Sequence, residues 1–285
     1  MIGVFEFDIK GLFDNIDHEL LMRAVRHHTQ CKWAILYIER WLKAPMQRAD
    51  GTIIERDKGT PQGGVISPVL ANLFLHYAFD AWMGRTFPNN PWCRYADDGL
   101  VHCKSEAEAK AINASLIERF AECGLQLHPT KTRIVYCKDN KRRKEYPTTK
   151  FDFLGYTFRT RMSRNSKTKE NFVNFSPAVS KSSLKSMRQK IRSLGIRNRS
   201  DLNLIEISRM CDPILRGWEQ YYGRYHGSSL KPVYKHFNST LRGWAMRKFR
   251  KLKGRKIAAG HFIEGLAKQQ PHLFIHWRRG TYGFA

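Results

Sequence analysis

The chain has 285 residues, 42% of them hydrophobic, which excludes a disordered or low-complexity tail and suffices for two domains with cores of their own. Fifty Lys and Arg against 25 Asp and Glu leave a formal charge of +25 and a pI near 10.1, the footprint of a protein that meets a polyanion, nucleic acid ahead of an anionic membrane surface. No apolar run approaches the ~20 residues that cross a bilayer, MIGVFEFDIK lacks the features of a signal peptide, and six cysteines without a C-x-x-C pair or zinc spacing read as reduced, mostly buried thiols of a cytosolic protein.

In VFEFDI, residues 4–9, Phe5, Phe7 and Ile9 alternate with Val4, Glu6 and Asp8, the period of a half-buried strand that turns Asp8 away from the core. Asp17 caps a helix through LLMRAVRHH, KWAILYIERWL follows as a second helix, and Asp50-Gly51 between alternating runs predicts a hairpin. Ser67 and Pro68 read as an N-cap and a first-turn proline of a helix through VLANLFLHYAFDAWM. After PNNP comes RYADDGLVHC, a second hairpin with Asp97 and Asp98 at its tip. Ser105 with Glu108 forms a capping box for a helix that ends at Gly124, and LQL, RIVYC and FDFLGYTF supply further strands, with KDNKRRKEYPTTK (138–150) a basic loop.

Residues 1–160 therefore read as an antiparallel sheet with helices on one face, an α+β arrangement. The stretch RTRMSRNSKTKENF, residues 159–172, is basic and has no apolar period, so residues 161–177 read as a linker. Residues 178–285 hold 23 Lys and Arg against 5 Asp and Glu, net +18. Leu184, Met187, Ile191 and Leu194 recur there at helical spacing, and segments near 201–222, 231–253 and 257–269 read alike, giving an all-α second domain.

Asp97 and Asp98 pose a physical question, because adjacent carboxylates repel. In isolation an Asp-Asp-Gly stretch is most simply a surface turn; a bound cation is the other answer. Asp8 also sits where a strand gives way to a turn, so three carboxylates can converge, the cluster that phosphoryl transfer by two metal ions needs, with magnesium suited to hard oxygen donors. Between the acidic positions, GTPQGGVISPVLAN (59–72) is a glycine-rich loop running into a helix, which lets backbone approach a flat or charged ligand.

Taken in order, FDIKGLFDNIDH, TPQGGVISPVLANLFLH, YADD, GLQLHPTKT and FDFLGY, followed by RGWEQYYG, LRGWAMRKFRKLKG and PHLFIHW, resemble the reverse transcriptases encoded in bacterial and organellar group II introns over nearly the whole chain. The resemblance implies a right-hand polymerase palm followed by an all-α thumb or maturase domain. It implies an RNA-directed DNA polymerase that uses two Mg2+ ions, with group II intron RNA, an RNA template, a DNA primer and dNTPs as partners, in the bacterial cytoplasm. By the same resemblance Asp8, Asp97 and Asp98 form the metal site with the backbone of Ile9, and Phe13 is a gate whose ring crowds a ribose 2′-hydroxyl. Gln62 contacts the nucleotide, Lys131 neutralises or protonates the triphosphate, and Phe153, Leu154, Gly155 and Tyr156 grip the primer.

In the helical domain Trp218, Tyr221, Tyr222, Tyr225, Trp244 and Phe249 interleave with cations. The Trp side chains read as core, and the ridge Arg242, Arg247, Lys248, Arg250, Lys251, Lys253 and Arg255 as RNA contact. One departure bears on activity: the family's fingers region precedes the first motif, which here follows Met1 directly. The expectation is therefore a chain that binds structured RNA and polymerises poorly by itself. An RNA-binding maturase without chemistry of its own is the second reading.

Overall fold

The computed structural model describes residues 3–47, 49–61, 63–142, 144–165 and 167–284. The chain forms two compact units, Met1–Thr149 and Lys150–Ala285.

In the first unit β1 (Gly3–Asp8) is followed by α1 (Leu12–Asn15), α2 (His18–His28) and α3 (Lys32–Lys43). Asp17 caps α2 by accepting from the Leu20 amide at 2.8 Å. The Asp50-Gly51 hairpin joins β2 (Met46–Gln47) to β3 (Ile53–Ile54), with Gly51 at φ 87°. Then come α4 (Ser67–Leu75), α5 (Ala81–Thr86), β4 (Trp92–Tyr95), β5 (Asp98–Cys103), α6 (Glu106–Glu122) and β6 (Arg133–Tyr136).

Apart from the β2–β3 ribbon, the strands form one antiparallel sheet in the order β4-β5-β1-β6. Its inner face carries Phe5, Phe7 and Val101, and these join Ile112, Leu116 and Phe120 of α6 and Phe79 in one buried cluster. The Phe7 ring lies 4.9 Å from that of Phe79 and 6.0 Å from that of Phe120, tilted and edge-on, the geometry aromatic quadrupoles favour.

Sequence and structure differ locally for identifiable reasons. Ser67 is not a cap: its hydroxyl donates to the Pro61 carbonyl at 2.6 Å, and the helix starts behind Ile66. The long helix is interrupted by a π-turn at His76–Asp80. The guanidinium of Arg119 on α6 donates there to the carbonyls of Tyr77 and Ala78, both at 3.1 Å, satisfying acceptors that the widened turn frees. Within LQL, Leu127 makes only an isolated bridge to Ile9.

The second unit opens with β7 (Lys150–Phe153), β8 (Tyr156–Arg164) and β9 (Asn171–Val179), a separate three-stranded antiparallel sheet. FDFLGYTF is thus not a strand pair of the first sheet, and residues 161–177 are not a linker: β8 pairs with β9 from Tyr156↔Val179 to Arg164↔Asn171. This sheet shows no strong apolar period because cross-strand hydrogen bonds hold its outer half, where Met162 is 69% exposed. Packing is concentrated in Phe151, stacked on Phe158 at 4.7 Å and near Phe175 at 6.1 Å.

Helices α7 (Lys181–Ser193), α8 (Leu204–His226), α9 (Lys231–Lys248), α10 (Lys256–Gln269) and α11 (Ile275–Arg278) complete the unit. Asn203 and Glu206 form a reciprocal capping box at the start of α8. Of the two tryptophans read as core, Trp244 is fully buried, while Trp218 is half-buried and packs against the same cluster.

A buried polar knot closes this unit. Asn238 Oδ1 accepts from Trp277 Nε1 at 3.0 Å and faces His276 Nε2 at 2.8 Å, while its Nδ2 donates to the carbonyls of Thr281 and Gly283. Burial holds the His276 imidazole at about 3, so the folded state keeps it neutral while the unfolded chain takes up a proton near 6.5. Stability is therefore complete above about pH 6.5 and falls below it, by up to about 1.4 kcal/mol per pH unit from this group until about pH 3. Urea unfolding at pH 7.5, 6.0 and 5.0 should show this loss, and the His276→Gln protein should show a shallower pH slope.

Candidate active site

The antiparallel register of β1 with β5 makes Asp8 and Asp98 direct cross-strand partners. Two residues, Ala96 and Asp97, close the β4–β5 hairpin, because Tyr95 pairs with Asp98. Ala96 takes a left-handed φ of 52°, which costs an L-residue about 1 kcal/mol and is characteristic of functional turns. Gly99 follows for a steric reason: a Cβ there would lie 2.1 Å from the Phe7 ring, its cross-strand partner.

Asp8 is 8% exposed, not on an open face as the strand period alone suggests. Lys131 covers it, with Nζ donating to Asp8 Oδ2 at 2.7 Å. The Asp8 carbonyl also accepts from the His128 amide at 2.8 Å, which ties the GLQLHPTKT segment to the end of β1. Burial, then the charges of Asp97 and Asp8, push the Asp98 carboxyl above its ordinary range, with Lys131 opposing. The Lys131 ammonium is held above its ordinary range, first by its hydrogen bond to Asp8 and then by the other two carboxylates. Among the described residues no group of three His, Cys, Asp or Glu side chains is gathered closely enough to hold a metal ion as it stands; the Asp8 carboxylate is engaged by Lys131.

Phe13 is half-buried against the core cluster. The GTPQGG loop is strapped to its backbone: Thr60 N donates to the Phe13 carbonyl at 2.6 Å, Gly59 N to the Ile16 carbonyl at 2.7 Å, and His18 Nε2 lies 2.7 Å from the Gly59 carbonyl. Gly59, at φ 79°, would place a Cβ 2.7 Å from the Phe13 carbonyl oxygen. This glycine serves close approach to the chain's own backbone, and the loop carries Phe13 with it. Gln62 lies outside the described residues.

The hairpin Phe153–Tyr156 belongs to the second unit. Leu154 and Gly155 both have positive φ, 49° and 77°, the conformation of a tight two-residue turn. Tyr221 Oη donates to the Leu154 carbonyl at 3.0 Å, Ser183 Oγ donates to the Gly155 carbonyl at 3.0 Å, and the buried Tyr156 hydroxyl donates to the Tyr221 carbonyl. The basic ridge divides. Arg242 lies over the Phe284 ring, Arg247 donates to the Arg197 carbonyl and Lys248 to the Ser200 carbonyl, so these three brace their own fold. Arg250, Lys251, Lys253 and Arg255 are exposed.

Residues 2–158 match the reverse transcriptase (RNA-dependent DNA polymerase) family. The chain belongs to that family. Residues 184–261 match the group II intron maturase-specific domain. The chain is 29% identical over 195 residues to protein YkfC of Escherichia coli K12, covering 56% of this chain and 48% of that one. It is 41% identical over 71 residues to the group II intron-encoded protein LtrA of Lactococcus lactis subsp. cremoris, covering 25% and 12%. The chain thus spans less than half the length of these relatives. A solved telomerase from Candida albicans, in complex with a fragment of telomeric RNA, overlays 98% of this chain and 49% of its own at a TM-score of 0.47 and 12% identity.

One residue that holds the Asp97–Asp98 hairpin escaped the sequence analysis. Arg94, whose side chain is 8% exposed, forks onto Asp80 (2.8 and 2.7 Å) and also reaches Asn72 Oδ1 and the Ala96 carbonyl, both at 3.0 Å. It fixes the turn before Asp97 to the π-turn. Its partners lie 14 and 22 residues earlier, a spacing no local pattern marks. Arg94→Ala should destabilise the protein by roughly 3 kcal/mol, since it strands a largely buried carboxylate. Arg94→Lys should recover only part of that, because an ammonium lacks the planar fork; urea denaturation measures both.

Proposed function

We propose that the protein is an RNA-directed DNA polymerase of the group II intron type, in which Asp8, Asp97 and Asp98 hold magnesium for nucleotidyl transfer. The observation that supports this is the Asp8↔Asp98 register pair with Asp97 beside it in the turn. Burial, then repulsion from Asp97 and Asp8, already pushes Asp98 up, and one ammonium, that of Lys131, stands against three carboxylates. Carboxylate oxygens are the donors that magnesium takes, with the Ile9 backbone adjoining. Bound there, two ions would stabilise the attacking and leaving oxygens of an in-line displacement.

The chain's own groups set the remaining conditions. Lys131, with its side chain 59% exposed, balances Asp8 and can swing to meet a triphosphate. Phe13, held by the Gly59–Thr60 strap, crowds a ribose 2′-hydroxyl and so favours deoxynucleotides. The Leu154-Gly155 turn carries the primer, and Gln62 contacts the dNTP. The second unit holds RNA, template and group II intron alike, and its match to the maturase-specific domain supports assistance to intron splicing. Free thiols throughout suit a reducing compartment, the bacterial cytoplasm.

Asp98→Asn should remove saturable Mn2+ binding seen by electron paramagnetic resonance and abolish magnesium-dependent primer extension. RNA affinity should stay within about twofold, because no phosphate contact is lost. Retained Mn2+ binding would refute the metal assignment. Phe13→Ala should raise ribonucleotide use relative to deoxynucleotide by about tenfold in single-nucleotide extension, the ~1.4 kcal/mol of a relieved clash; unchanged selectivity returns Phe13 to a packing role.

A further inference from the structure

The ridge at 242–255 is joined in the second unit by another cluster of cations, lined by no carboxylate. On α7, Lys185, Arg188 and Arg192 recur along one helix face. On α9, Lys231, Lys235 and His236 face them, and together these residues line a groove of about 660 Å³. A second cavity of about 310 Å³ shares Arg192 and His236 and adds Arg197 and Arg247. No Asp or Glu lines either one. Arg197 is seated against α9 where Gly243 leaves space, since a Cβ there would lie 3.1 Å from its Nε.

His236 is the unusual member. Its Nε2 is shielded from solvent and has no hydrogen-bond partner among the described residues, a state that costs free energy until a partner is supplied. Burial, then Arg192, Arg197 and Arg188, hold its imidazole below the ordinary range. The charged groups around it are Lys185, Arg188 and Arg192 from α7, Arg197 from the turn after it, and Lys231, Lys235 and Arg247 from α9. All are cations, so the neutral form prevails while the groove is free.

We propose that this α7–α9 groove seats the phosphodiester backbone of an RNA helix and that His236 takes up a proton from solvent when phosphate arrives, coupling RNA affinity to pH. The proposal rests on the reading of the second unit as RNA-binding. A phosphate among these cations reverses the local field, so the imidazolium becomes the favoured form and donates to a phosphate oxygen. The sign follows: binding consumes a proton, so affinity rises as pH falls through the histidine range.

The test is fluorescence anisotropy of the whole protein with a labelled RNA duplex of about 16 base pairs. In a salt titration at pH 7.5, Lys185→Gln/Arg188→Gln/Lys235→Gln should flatten the slope of log affinity against log salt by about one per phosphate contact removed. The control Arg250→Gln/Lys251→Gln/Lys253→Gln should flatten it less. Between pH 7.5 and 5.5 the parent should tighten several-fold more than His236→Gln, up to about tenfold per pH unit by which phosphate raises the imidazole's proton affinity. A groove triple variant with parental affinity and slope overturns the groove while leaving RNA binding intact, and equal pH dependence in parent and His236→Gln overturns the proton coupling. A parent that binds RNA without salt dependence overturns the RNA-binding reading itself.

Discussion

Antiparallel pairing of β1 with β5 sets Asp8 opposite Asp98, and holding like charges at one interstrand spacing is the constraint on which the first unit depends. Opposed carboxylates destabilise a sheet, so the pairing must be enforced from elsewhere. On the inner face Phe7 packs over Gly99 and onto Phe79 and Phe120, a contact that fixes the register one position from the acidic pair. On the outer face Lys131 supplies partial counter-charge. The hydrophobic core thus holds the carboxylates where electrostatics alone would separate them.

The Ala96-Asp97 and Leu154-Gly155 hairpins solve a common problem by similar means. Each tip carries a non-glycine residue at positive φ, Ala96 or Leu154, and in each the carbonyl of that residue is held by a side chain, Arg94 in one and Tyr221 in the other. Strain of this size persists only where surrounding contacts over-determine it. Gly59 and Gly155 extend the theme, since each gives up a side chain so that a loop or turn can press against neighbouring atoms.

The second unit divides its cations by role. Some spend their charge on their own backbone, as Arg247 does on Arg197 and Lys248 on Ser200. Others, lining the α7–α9 groove without any carboxylate, are left with mutual repulsion that only an anion relieves. A net charge of +18 over residues 178–285 says nothing about this division, because charge counts carry no geometry.

Sequence by itself determined the family and the outline of the fold. The acidic residues stood out because Asp8 ends an alternating strand and Asp97-Asp98 close a hairpin, both local patterns, and the helices of the second unit announced themselves by period. Tertiary structure alone decided what depends on partners distant in the chain. The basic stretch 159–172 lacks an apolar period, yet residues 161–164 and 171–177 lie in strands because hydrogen bonds to a neighbouring strand, rather than burial, order them. Ser67 resembles a cap, but the Pro61 carbonyl takes its hydroxyl. Arg94 holds the Ala96-Asp97 turn through Asp80 and Asn72, and Asp8 is covered by Lys131 from 123 residues away. Local propensity is written in neighbouring residues, whereas contacts closed by long loops acquire their energy only when the whole sheet has formed.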